Sequence, residues 1–214
     1  MWKLVILLAL APFVGACICA NLFGLKALTQ PSKLSCDVDT LLNKILSVMD
    51  RTNISIHYVK RQTWPRVNQH TIELPQQYRN SKSSIHHARA CLTLSYTLLY
   101  QEHQEAIDWR LKTIKTGYLL PLFTLLIVAF SFLIGKLPGI IMIASLTLSL
   151  GITSCLLWWS LRVERDAAHH MASRIEKLRV LPRLREEEAL TETLKALPWA
   201  SLIPGVFLKL TTKG

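Results

Sequence analysis

Residues 118–161 form an apolar stretch broken only by Gly135-Lys136-Leu137-Pro138-Gly139, and this block sets the expected plan of the chain. About 20 apolar residues cross the hydrocarbon core of a bilayer. The segments on either side of the Lys136 turn approach or exceed that length, so the pattern predicts a transmembrane hairpin over residues 117–162. Glycine and proline supply the helix breaks that a tight turn requires. A second apolar run, from Leu4 to about Leu28, predicts an N-terminal anchor or signal over residues 1–28. A third, residues 196–214, holds Pro198, Pro204 and Gly205 and is expected to be a kinked span or a re-entrant segment.

Polar segments fill the remainder. Within residues 29–116, Asp37 or Asp39 can cap a helix whose apolar positions Leu41, Leu42, Ile45, Leu46 and Met49 recur at helical spacing. Alternation at Ile54, Ile56 and Tyr58, and again around Ile72, predicts two strands joined by a loop over residues 60–69, where Trp64-Pro65 breaks any longer strand. From Ser83 to Lys115 the residues Ile85, Ala88, Leu92, Tyr96, Leu99, Ala106, Leu111 and Ile114 trace one stripe of a long amphipathic helix leading into the hairpin. Residues 163–195 are charged and predict a helix from Arg162 to near Pro182. The expected class is therefore an α+β membrane protein, mostly helical, with a small two-strand soluble unit.

Half of the 214 residues are hydrophobic, yet the formal net charge is +11. The charge sits beside the apolar runs: Lys26 and Lys33, then Arg110, Lys112 and Lys115, then Arg162 and Arg165. Such flanks fit the positive-inside bias and attraction to anionic lipid rather than nucleic-acid binding, for which no motif is present. By that bias the charged segments face the cytoplasm and the Lys136 turn lies outside. Val14-Gly15-Ala16-Cys17 loosely fits a lipoprotein cleavage site, and processing there would reverse the placement, but the apolar run continues beyond Cys17 and favours an uncleaved span. The five cysteines have neither zinc-ribbon spacing nor the context of a disulfide framework, and they read as structural thiols.

The order of elements, with Ile72-Glu73-Leu74-Pro75-Gln76-Gln77-Tyr78, Lys82-Ser83-Ser84-Ile85, Arg110 ahead of the spans and Val163-Glu164-Arg165-Asp166-Ala167-Ala168, resembles the bacterial membrane-anchored neutral zinc metallopeptidases, the YugP-like family. The resemblance runs over nearly the whole chain and implies a cytoplasmic-membrane location, with Glu164 at the position of the third zinc ligand. It departs at the metal motif. Such a peptidase places two histidines at i and i+4 on one helix face beside a glutamate that activates the bound water. No two histidines here are four apart, and the corresponding helix reads Tyr96-Thr97-Leu98-Leu99-Tyr100 or, in another register, Leu92 to Tyr96. Neither supplies a ligand or a base.

The sequence therefore predicts a degenerate member without zinc, acting as a binding or scaffold protein whose partner is a protein or peptide, engaged through a free strand edge. An active peptidase with an atypical zinc site, built from Glu164 and scattered histidines, is one alternative. A structural subunit of a membrane complex is the other. Adjacent side chains on a helix point about 100° apart, so His86-His87 and His169-His170 are expected to be solvated rather than ligating. Glu102, His103 and Glu105 read as a solvated face, and Glu164 as the partner of Arg162, Arg165 or a neighbouring positive helix.

Overall fold

The computed structural model describes residues 2–29, 32–51, 53–60, 66–135 and 138–203. The expected Lys136 turn, the Trp64-Pro65 break and the end of the last apolar segment lie outside them. The chain is mostly helical with one two-stranded sheet, and three of its helices are long and apolar enough to cross a membrane.

Helix α1 (Trp2–Ala20) continues through a π-helical turn, Asn21–Leu25, into the short α2 (Lys26–Thr29). Helix α3 (Val38–Val48) buries Val38, Leu41, Leu42, Ile45 and Leu46, the face expected from their spacing. Asp37 holds the N-cap position but makes no capping bond with its side chain. Strands β1 (Ser55–Val59) and β2 (Thr71–Pro75) pair in parallel, with Ile56 opposite Ile72 and Val59 opposite Pro75. Parallel pairing turns the 60–70 connection into a crossover rather than a hairpin loop. β2 buries Ile72 and Leu74, while β1 is only partly covered.

Helix α4 (Ser84–Leu133) has 50 residues and α5 (Gly139–Leu178) has 40. At 1.5 Å per residue these are about 75 and 60 Å long, twice or more the 30 Å of a hydrocarbon core. The expected boundaries at residues 116 and 162 fall within helical stretches, the first beyond a kink in α4. One break occurs, at His103, whose φ of −132° and ψ of 40° kink α4. Beyond the kink toward the N-terminus the helix is buried on several sides, through His87, Cys91, Leu94, Ser95 and Tyr96, so the single amphipathic stripe understates its cover. It is the central helix of the core.

The direction of packing follows from three close contacts. Gly151 of α5 lies against the carbonyl of Ala9 in α1, Ala16 joins Leu157 and Leu161, and Gly24 lies against the Ala200 backbone. α1 and α5 therefore run in the same direction, with α4 antiparallel to both. Helix α6 (Leu184–Ala200) turns back along the distal part of α5 and ends beside Phe23 through Trp199, at 5.0 Å between rings. Residues 196–202, the described part of the last apolar segment, pack into this junction, with Leu197, Pro198, Ala200 and Leu202 buried.

Two bodies of side chains result. Around α3, β2, the first part of α4, the last part of α5 and α6 lies one continuous apolar core. Along the outer faces of α1, α4 and α5, large apolar residues such as Leu7, Phe123, Phe130, Leu133, Ile143 and Ile152 are exposed.

Candidate functional site

Where the two bodies meet, α4 places a single charge on a buried face. Ile107, Arg110 and Ile114 are spaced three and four apart, so the residue facing inward between two isoleucines is an arginine. Arg110 is wholly buried. Opposite it, α5 presents Ser160 and Glu164, one turn apart, and the end of α6 adds Ser201.

The guanidinium is satisfied on all sides. Its Nε donates to Glu164 Oε2 at 2.7 Å and its Nη2 donates to the same oxygen, while Nη1 donates to Ser160 Oγ at 2.7 Å and to the Leu157 carbonyl at 3.0 Å. Nη2 also reaches Ser201 Oγ, which lies 3.0 Å from Glu164 Oε2 and 2.6 Å from the Pro198 carbonyl. One hydroxyl proton serves only one of those last two acceptors at a time. Gly117 of α4 packs against the Leu157 side chain. The cluster thus joins three helices through one cation.

Glu164 is therefore the partner of a neighbouring positive helix, and that partner is Arg110; Arg162 instead pairs with Asp166 at 3.6 Å on the exposed side. Of the degenerate motif positions, Tyr96 reaches this site. Its hydroxyl is buried beside both charges, and burial, with the Glu164 carboxylate adding to it and Arg110 opposing, holds the phenol well above its usual range. Thr97 turns back to the Thr93 carbonyl at 3.2 Å, and Tyr100 bonds the Asp108 carboxylate at 3.2 Å across the kink. The three positions do not converge. Among the described residues, no group of three His, Cys, Asp or Glu side chains is placed to hold a metal.

The histidines divide otherwise than expected. His169 and His170 are exposed, as are Glu102, His103 and Glu105. His87 is fully buried, its Nδ1 2.8 Å from the Ser83 carbonyl and its Nε2 3.1 Å from the Cys36 carbonyl, and His86 stacks on Tyr78 at 4.4 Å. The pair was expected on a solvated face. Instead Cys36 and Asp37 cover His87, and half-buried His86 lies against Ser81 and Tyr78, contacts that local spacing on α4 does not reveal.

Burial pushes the His87 imidazole below its ordinary value against the opposing pull of the Ser83, Cys36 and Asp37 neighbours, and burial lowers His86 with help from Arg89. Both favour the neutral ring in the folded chain. The unfolded chain then takes up protons first as pH falls through about 6.5, so folding stability is present above that pH and lost below it. Melting in detergent is expected to move to lower temperature between pH 7.5 and 5.5, with a smaller shift in His87→Gln.

Arg110 and Ser201 were not among the candidate site residues. The signal for Arg110 was its position between Ile107 and Ile114 on an apolar face; for Ser201 no local signal exists, since α6 brings it there from a distance of 37 residues to Glu164. No family model, no curated protein and no solved structure matches this chain.

Proposed function

We propose that the chain is a non-catalytic integral membrane protein, a metallopeptidase-like scaffold in which Arg110 supplies the positive charge that a metal ion would supply to Glu164. The observation that carries this reading is the buried Arg110–Glu164 bond. The resemblance assigns the Glu164 carboxylate to zinc; here an internal guanidinium donates two hydrogen bonds to it, and Ser201 closes the remaining approach. A zinc ion beside a fixed guanidinium would meet like charge at contact distance, in a site with little water to screen it.

In this reading the apolar faces of α1, α4 and α5 lie in lipid, in the bacterial cytoplasmic membrane, with the charged segments on the cytoplasmic side. The core around α3, β2 and α6 is a platform for a protein or peptide partner. Strand β1 supports that role: its residues Ser55 and His57 are exposed, and among the described residues only β2 pairs with it, leaving one edge for strand addition.

Zinc content tests the reading. Elemental mass spectrometry of the detergent-purified chain is expected to find no stoichiometric zinc, in the natural sequence or in Glu164→Ala. Stoichiometric zinc in the natural chain, lost in Glu164→Ala, would replace the scaffold with an active peptidase of unorthodox site.

A further inference from the structure

The bonds from Arg110 to Leu157, Ser160 and Glu164, and the packing of Gly117 on Leu157, fix residues 110–117 of α4 beside residues 157–164 of α5. Both segments therefore lie at one level along the helices. At that level each helix changes character: the exposed apolar faces of residues 123–134 on α4 and 140–152 on α5 lie to one side, and the charged helices to the other.

On α4 the outward residues at this level are Trp109, Lys112 and Lys115, three apart and all exposed. On α5 they are Trp158, Trp159, Arg162 and Arg165, again exposed, with Trp159 at 84%. Together they make a collar of tryptophan and cation around the pair of helices. The acids at the same level do little to neutralise it. Glu164 is turned inward to Arg110, Asp108 accepts from Tyr100, and Asp166 sits 3.6 Å from Arg162 with both side chains in solvent. Lys112, Lys115 and Arg165 have no ion pair among the described residues.

We propose that this collar binds anionic phospholipid headgroups, an inference that rests on the membrane reading above. Indole rings seat at the headgroup level, where an apolar body and an N–H donor are both accommodated. Lysine and arginine beside them extend toward phosphate, and each such cation near an anionic surface favours binding about fivefold. The exposed apolar bands that continue from the collar along α4 and α5 supply the acyl-chain contact. A soluble acidic protein would have no use for those bands, so the lipid is the occupant that fits both halves of the surface.

The test uses the full chain in detergent, titrated with phosphatidylglycerol or phosphatidylcholine and read by native mass spectrometry. Phosphatidylglycerol is expected to bind at least about tenfold more tightly, with the preference shrinking as salt rises from 0.05 to 0.5 M, roughly the range over which charge screening becomes strong. The triple variant Lys112→Gln, Lys115→Gln, Arg165→Gln is expected to lose most of that preference while melting as the natural chain does. Equal binding of the two lipids overturns the inference, and so does a preference that survives in the triple variant. The salt series on the natural chain decides the question even if the variant misfolds. A chain that remains monodisperse in buffer without detergent overturns the membrane reading itself, and is distinguishable because it fails before any lipid is added.

Discussion

Glu164→Gln is expected to destabilise the chain by about 3–5 kcal/mol, the cost of breaking a buried ion pair on one side only. The physical reason is what remains. Arg110 has no exposed surface and keeps its charge, since a guanidinium does not deprotonate in proteins. With glutamine opposite, the cation retains hydrogen bonds to Ser160, Ser201 and the Leu157 carbonyl, but no counter-charge remains in the cluster. Arg110→Met leaves the complementary problem, a buried carboxylate held by Ser201 alone. Both variants should melt far below the natural chain in detergent. Ser201→Ala removes the bond the hydroxyl accepts from Arg110 and the one it donates, but no charge, so it should cost only about 1–3 kcal/mol.

Gly151→Leu is expected to be the next most damaging change. A Cβ at Gly151 would collide with the Ala9 carbonyl oxygen and lie 3.4 Å from its Cα, so the obstacle is the backbone of α1 and not a flexible side chain. Leucine there forces α1 away from α5. Overpacking of this kind costs about 1–3 kcal/mol, and the added branch beyond Cβ places this case at the upper end. The displacement should extend to the junction at Gly24, where a Cβ would already meet the Ala200 nitrogen at 2.6 Å, and to the Phe23–Trp199 ring contact. Gly15→Ala provides the control, because a Cβ at Gly15 meets nothing within 4 Å. Melting of that variant should match the natural chain or rise by up to about 1 kcal/mol from helix propensity. Equal losses at Gly15 and Gly151 would contradict the α1–α5 packing.

Much of the fold was legible because local pattern dictated it. Uninterrupted apolar length marked the hairpin helices, period-3.6 spacing marked the buried face of α3, and alternation marked β1 and β2 to within a residue or two. What escaped was set by long-range packing. Alternation does not report strand direction, so the parallel pairing of β1 with β2 was not visible. His87 was unreadable for a similar reason: a histidine among polar neighbours looks solvated until residues 36 and 37 are folded over it. Composition alone did not reveal that residues 196–202 of the last apolar segment pack at the junction between α1, α4 and α5. Glu164 was singled out from the resemblance, whereas Arg110 needed only the observation that a charge interrupts a buried stripe. An ionisable residue in that setting is a functional or structural centre by default, because it persists only with a partner.

The central claim is that Arg110 and Glu164 form one unit that ties α4, α5 and the end of α6 together. A double-mutant cycle with Arg110→Met, Glu164→Gln and the pair combined, followed by unfolding in detergent, measures that coupling directly. The account predicts a coupling energy of at least about 2 kcal/mol, with the combined variant more stable than the worse single one because neither buried charge is then left alone. Single losses that add to within about 0.5 kcal/mol would contradict it.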